Sequence, residues 1–109
     1  MEIQQQKITA EGVKFFIEAD GKEVGRAHLY IMKNALHPEP FGLMEDVFVD
    51  ESLRGQGMGT ELVKQLIAKA KELGCYKLVA TSRHSRPKVH ELYERLGFKN
   101  HGSEFRIDF

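Results

Sequence analysis

The run Arg54-Gly55-Gln56-Gly57-Met58-Gly59 places three glycines within five residues, between the apolar stretch Val47-Phe48-Val49 and a helical pattern that begins near Thr60. Glycines at a strand-to-helix junction leave backbone N–H groups bare at the helix start. Those donors have no carbonyl partner inside the helix, and the helix dipole favours negative charge beside them. The chemistry implied is anion binding, a phosphate above all. The pattern is not the phosphate loop GxxxxGK[ST], because no lysine follows the last glycine, and it does not fit the dinucleotide fingerprint GxGxxG. The plain alternative is a tight turn that needs positive φ.

A second cluster is Ser82-Arg83-His84-Ser85-Arg86-Pro87-Lys88, with three Arg/Lys side chains and a histidine in seven residues. It reads either as an anion-binding loop or as a solvated basic loop. Cys75 has no adjacent base and reads as a small core residue, not a nucleophile. His28, His37, His84, His90 and His101 show no metal-ligand spacing with cysteine or carboxylates, so no metal is expected. His37, in a proline-rich loop, is a candidate contact for an acceptor.

The elements that would position these groups follow from periodicity. Val13–Ala19 and Glu23–Met32 read as strands joined by the hairpin signal Asp20-Gly21. Asn34–Gly42, with Pro38 and Pro40, reads as a loop. Leu43–Val49 reads as a third strand, in which strict alternation puts Glu45, Val47 and Val49 on one face and Asp46 and Phe48 on the other. From Thr60, the residues Leu62, Val63, Leu66, Ile67, Ala70 and Leu73 recur at helical spacing, and Gly74 stands where a left-handed stop belongs. Tyr76–Thr81 is the next strand. Ser85 and Pro87 read as N-cap and first turn of a second helix carrying Val89, Leu92, Tyr93 and Leu96, which Gly97 stops. His101–Phe109 reads as a final strand, paired with Phe98–Asn100.

The order β-β-β-α-β-α-β implies a mixed central sheet in an α/β (α+β) fold, with an antiparallel opening hairpin and one right-handed parallel crossover. The chain has 109 residues, 41% hydrophobic and 29% charged, which suits one domain spanning 1–109 with a modest core. Sixteen basic residues balance sixteen acidic ones, so composition favours neither nucleic acid nor a membrane surface as a partner. A single cysteine fits a reducing compartment. No apolar run approaches the roughly 18 residues that span a bilayer, and no signal-peptide core follows Met1. These features lead to the expectation of a soluble cytoplasmic protein.

Taken together, Leu43–Val49, Arg54–Gly59 and Tyr93-Glu94-Arg95-Leu96-Gly97-Phe98 resemble the GNAT superfamily of acyl-CoA-dependent N-acyltransferases. The resemblance covers roughly Leu43 to Lys99, just over half the chain. It implies that Arg54, Gly55, Gln56, Gly57, Met58, Gly59 and Thr60 cradle the pyrophosphate of acetyl-CoA with backbone N–H groups. It implies that Val47, Phe48 and Val49 pair with the pantetheine arm, and that the strand after the helix splays away to admit the thioester. Tyr93 then matches the tyrosine that protonates the departing thiolate, and Glu45 matches a strand position that faces the acceptor amine in some members. The chemistry is consistent with reference values: a thiol of about 8.5 leaves as thiolate, and a tyrosine of about 10 is still protonated at neutral pH. An ammonium must lose a proton before it attacks, and a carboxylate can accept it. The oxyanion that develops needs an N–H donor, which an exposed strand amide supplies. The bland readings are an exposed strand carboxylate for Glu45 and a half-buried core residue for Tyr93. Asp46, on the opposite face in this reading, is taken as structural.

Two departures stand out. Members often carry asparagine seven residues before the tyrosine; here that position is Arg86, which becomes a candidate cofactor contact. Met1–Glu11 is too short for the helices that usually precede the hairpin and wall the acceptor side. The acceptor side is therefore expected to be open or completed by a second subunit, a homodimer. The runs Glu45-Asp46-Val47-Phe48-Val49 and Leu73-Gly74-Cys75-Tyr76-Lys77 look like the glucosamine-6-phosphate N-acetyltransferase branch, and polyamine acetyltransferases share the Glu-Asp part. Neither fixes the acceptor, which stays a small-molecule or protein amine. The leading expectation is transfer of an acetyl group from acetyl-CoA to a primary amine by direct attack in a ternary complex. The alternative is a non-catalytic CoA-binding sensor or regulatory module. A nucleic-acid module built on Arg83–Lys88 is a third reading, disfavoured by the zero net charge.

Overall fold

A computed structural model describes residues 1–109. Strands β1 (Glu11–Ala19), β2 (Lys22–Met32), β3 (Phe41–Val49) and β4 (Leu78–Ala80) form one sheet in sequence order. Helix α1 (Met58–Glu72) joins β3 to β4, and helix α2 (Pro87–Arg95) follows β4. Asp20 and Gly21 turn the β1–β2 hairpin at φ 53° and 75°, the doubly positive turn that matches strand twist. β1–β2 and β2–β3 are antiparallel, while β3–β4 is parallel. The mixed sheet and the element order therefore match expectation as far as the second helix.

α1 forms because its apolar residues recur at helical spacing and leave one face to bury. Leu62, Val63, Leu66 and Ala70 on that face meet Ala27, Leu29, Ile31 and Met44 from β2 and β3. Leu29, Val63 and Leu66 are fully enclosed. Truncating Leu66 to alanine is expected to cost about 2–5 kcal/mol. Gly74, at φ 78°, ends the first helix and Gly97, at φ 105°, ends the second.

Four expectations need correction. The closing strand His101–Phe109, with its partner Phe98–Asn100, is not formed; residues 99–109 belong to no helix or strand. Phe105, Ile107 and Phe109 alternate as a strand would, yet they are 94%, 78% and 115% exposed. Alternation supplies one apolar face, but a strand also needs a neighbouring edge to bond and a surface to bury against, and this segment pairs with no strand and buries none of the three. The strand foreseen at Tyr76–Thr81 is only Leu78–Ala80, and β3 begins earlier, at Phe41. Arg86, not Ser85, occupies the N-cap of α2, with no side-chain cap and with Pro87 in the first turn.

The fourth correction lies in β3. Arg26 pairs with Phe48, but His28 pairs with Glu45, so β3 carries one extra residue between those pairs. This is a β-bulge, and Asp46 within it adopts φ 52°. A bulge resets the alternation. Val47 and Val49 pack against the core cluster with Met44, whereas Glu45 is exposed. Glu45 therefore does not share a face with Val47 and Val49. It shares one with Phe48 and with Asp46, whose carboxylate reaches Arg26 and His28 on that same face.

Candidate active site

The parting of two strands defines the site. β4 runs beside β3 only at Gly42, Leu43 and Met44. Beyond Met44 the β3 edge from Glu45 to Val49 has no strand next to it. Asp50 N donates to Val24 O at 2.8 Å, so the adjacent Val49 turns its own N–H and C=O away from β2, toward the gap.

At the far end of that gap stands the glycine loop. Asp50 caps a single 3-10 turn, Glu51–Leu53, by accepting from Ser52 N at 3.1 Å, and its carboxyl is held below the usual range by the Ser52 bonds. Arg54 then folds back, its Nε donating to Val49 O at 3.0 Å. Arg54 thus fastens the loop to the end of β3. Gly55 and Gly57 sit at φ 85° and 84°, a conformation that a side chain would strain. A Cβ at either one would meet nothing within 4 Å, so the space above the loop is open. Gly57 is the N-cap of α1, with no side-chain bond to the helix. The first helical bond runs from Glu61 N to Gly57 O at 3.0 Å. The N–H groups of Met58, Gly59 and Thr60 precede it and find no partner inside the helix. The loop therefore has the geometry that a pyrophosphate requires: bare donors, a helix N-terminus and no Cβ in the way.

At the near end lies Tyr93. It is half-buried on α2, packs against the core and stands 5.3 Å from the Phe98 ring, centroid to centroid. Phe98 N bonds Tyr93 O at 3.0 Å and fixes the helix end. Burial pushes the Tyr93 hydroxyl above its ordinary value of 10.0, the Glu45 charge pushes the same way, and Arg86 opposes both. Tyr93, Glu45 and Arg86 thus share one electrostatic neighbourhood. The remaining basic residues of the 83–88 loop are exposed. His90 Nε2 lies 2.9 Å from Arg83 O and ties that loop to α2.

Two sequence readings fare differently. The His37 ring lies tilted against Tyr76 with centroids 4.5 Å apart, in the loop before β3. Cys75 packs against the core, and burial raises its thiol above 9.0, as befits an inert residue. The sequence reading overlooked Asp46 and His28 as members of the Glu45 face. The signal was present in β3: apolar Met44, Val47 and Val49 are spaced three and then two apart, with two acidic residues between.

Comparison with known proteins points the same way. Residues 2–98 match the Acetyltransferase (GNAT) family. A Trypanosoma brucei brucei protein named glucosamine 6-phosphate N-acetyltransferase is 37% identical over 95 residues, which is 86% of this chain and 63% of that protein. An aminoglycoside N(6')-acetyltransferase type 1 of Stenotrophomonas maltophilia is 31% identical over 104 residues, covering 90% of this chain and 67% of its own. A solved structure described as a putative acetyltransferase from Agrobacterium tumefaciens str. C58 superposes with a TM-score of 0.81 at 31% identity, over 90% of this chain and 69% of that one. The chain thus spans about two thirds of the length of these relatives. With residues 2–98 matching the family model, the chain belongs to the GNAT acetyltransferase family.

Proposed function

We propose that residues 1–109 act as a single domain that moves an acetyl group from acetyl-CoA to a primary amine, by direct attack within a ternary complex. One observation carries this reading: the open edge of β3 lies between the bare N–H groups of α1 and the Tyr93–Glu45 pair. When bound, acetyl-CoA supplies an acetyl thioester. The N–H groups of Met58, Gly59 and Thr60 hold its pyrophosphate, and the Val47–Val49 edge aligns the pantetheine arm. Glu45 accepts a proton from the incoming ammonium. Tyr93 Oη, kept protonated by burial, provides the proton that the leaving sulfur takes up. Arg86 steadies the negative charge that develops beside Tyr93. No covalent acyl-enzyme and no metal are needed.

The acceptor is a small-molecule or protein amine. Amino sugars are the first to assay, since the trypanosomal and Stenotrophomonas relatives carry such names. The single cysteine and the absence of any helix long and apolar enough to cross a membrane are consistent with a cytoplasmic setting. A homodimer would complete the acceptor side and cover the exposed Phe105, Ile107 and Phe109. Sedimentation of the purified chain checks this; a monomer at tens of micromolar would refute it.

The deciding experiment measures thiol release from acetyl-CoA against glucosamine 6-phosphate, aminoglycosides and polyamines, with CoA binding followed in parallel. Turnover with one acceptor class is expected. CoA binding without any thiol release above background would replace the enzyme with a sensor or regulatory module.

A further inference from the structure

The outer face of the sheet is ordered in rows, since directly paired residues of antiparallel strands project to the same side. One row is Lys14–His28–Glu45, across β1, β2 and β3. Its neighbours are Gly12–Tyr30–Leu43 and Phe16–Arg26–Phe48. His28 therefore stands directly opposite the candidate base, with Cβ atoms about 4.5–5.5 Å apart.

His28 Nδ1 is buried and has no hydrogen-bond partner as placed. A polar atom in that state is costly unless a partner lies close by. The oxygen beside it is Asp46 Oδ2, at 3.6 Å. Asp46 is itself anchored, accepting from Arg26 Nε at 2.7 Å and from Arg26 Nη2 at 3.2 Å. That guanidinium holds the Asp46 carboxyl below its usual range, so it is an anion throughout the neutral region. An ionised carboxylate only accepts hydrogen bonds. The Nδ1–H tautomer turns a donor toward that carboxylate and leaves Nε2 of the neutral ring with a free lone pair.

Every charged group around the ring has an assigned place. On β1, Lys14 is engaged by Glu23. On β2, Arg26 is engaged by Asp46 and Glu23, and Tyr30 stacks on His28 with centroids 6.1 Å apart. On β3, Asp46 Oδ2 lies 3.6 Å from Nδ1, and Glu45 is the cross-strand partner of His28. Glu45, in the same row as His28, takes part in none of the ion pairs of this face.

We propose that His28, oriented by Asp46, is a proton-relay residue acting through Glu45, and this rests on the acetyltransferase reading. The ammonium proton of the acceptor passes to the Glu45 carboxylate. It moves on to His28 Nε2, forming an imidazolium beside the Asp46 anion, and leaves to solvent. Glu45 is returned to its ionised form, so each turnover begins with the base ready. Imidazole suits the task because one ring nitrogen can take up a proton while the other keeps its hydrogen.

Two measurements test the relay. The first is the 15N spectrum of the His28 ring in the free protein, where the Nδ1–H tautomer is expected and Asp46→Asn should abolish the preference. The second compares His28→Asn with the unaltered protein in thiol release from acetyl-CoA with glucosamine 6-phosphate. Asparagine keeps a donor toward Asp46 but has no proton acceptor at the Nε2 position. We expect kcat to fall about tenfold or more near pH 7, the KM for acetyl-CoA to hold, and the limb contributed by His28 to vanish from the pH profile. An Nε2–H tautomer, or an unchanged pH profile in the asparagine variant, overturns the relay alone. No thiol release by the unaltered protein with any amine overturns the acetyltransferase reading and the relay with it, while the tautomer remains readable.

Discussion

Asp46 Oδ2 accepts from Arg26 Nε at 2.7 Å, and this bond holds the bulged residue of β3 on the face that carries Glu45. The Arg26 side chain is partly exposed and that of Asp46 is exposed, so the pair matters for orientation more than for stability. The sign of its pH dependence is fixed. The Asp46 carboxyl lies below its ordinary 3.8 because Arg26 bonds the ionised form, so any stability it contributes is present above that value and lost as pH falls through the lower folded one.

The bulge itself has a testable consequence. Asp46 sits at φ 52°, where asparagine is tolerated and a β-branched residue is not. Asp46→Asn should unfold in urea close to the unaltered protein, whereas Asp46→Val should lose about 1–2 kcal/mol. Equal stability of the two variants would argue that the left-handed residue, and with it the bulge, is absent.

Tyr93 gives the second prediction. Burial, then the Glu45 charge, raises its hydroxyl above 10.0, so it remains an acid across the whole neutral and mildly alkaline range. Tyr93→Phe should lower kcat by about 100-fold or more with CoA affinity unchanged, and activity in the unaltered protein should show no Tyr93 limb below pH 10. The folded value is the higher one, so stability owed to this burial is complete below the unfolded value and lost as pH rises through the folded one. A tyrosinate absorbance change that begins below pH 10 and tracks Tyr93 would contradict the assignment.

How far the sequence could be read depended on whether an element announced itself locally. The α1 face, the Asp20-Gly21 turn and the glycine loop were legible, because helical spacing and turn chemistry are short-range. Tyr93 as acid and Glu45 as candidate base were named through family resemblance, and in the structure the Glu45 charge adds to burial in raising the Tyr93 hydroxyl. The bulge was misread because strict alternation was assumed through Glu45-Asp46, where two polar residues in succession break the period. The closing strand was misread for the opposite reason. Phe105, Ile107 and Phe109 do alternate, but pairing depends on a neighbouring edge that no local pattern encodes. His28 was weighed only as a metal ligand, because its place beside Glu45 and Asp46 comes from cross-strand pairing.

Substitutions in the glycine loop distinguish the proposed phosphate binding from folding. Gly57, at φ 84°, serves as an uncapped N-cap, while Gly59 lies within α1 and a Cβ there would rest 3.7 Å from Val49 Cγ2, an ordinary contact. Gly57→Ala should cost about 1 kcal/mol or more through the left-handed backbone, and Gly57→Val should in addition weaken CoA binding by crowding the bare N–H groups. Gly59→Ala should be neutral or slightly stabilising, since alanine outranks glycine in helices. Calorimetric titration with CoA and thermal melts check both. Full CoA affinity in Gly57→Val would remove the loop as the pyrophosphate cradle.

Gly42 sets how closely β4 approaches β3. Its N–H donates to Lys77 O at 2.9 Å, and a Cβ there would stand 2.9 Å from Leu78 Cδ1 and 3.0 Å from Leu29 Cδ1. Leu29 is fully enclosed and cannot yield, so the added methyl must push Leu78 and the start of β4 outward. Gly42→Ala should therefore cost about 1–3 kcal/mol and change the width of the parting between β3 and β4. Cys75 reports the shift independently, because its Sγ would lie 3.7 Å from the same Cβ and its thiol is raised by burial. In the unaltered protein the reaction of Cys75 with a thiol reagent at pH 7.5 should be slow and should quicken on unfolding. In Gly42→Ala it should quicken in the folded state, together with a loss of acetyl transfer. Slow labelling and full activity in that variant would show that β4 tolerates the methyl group where it stands, and that its close approach does not set the gap.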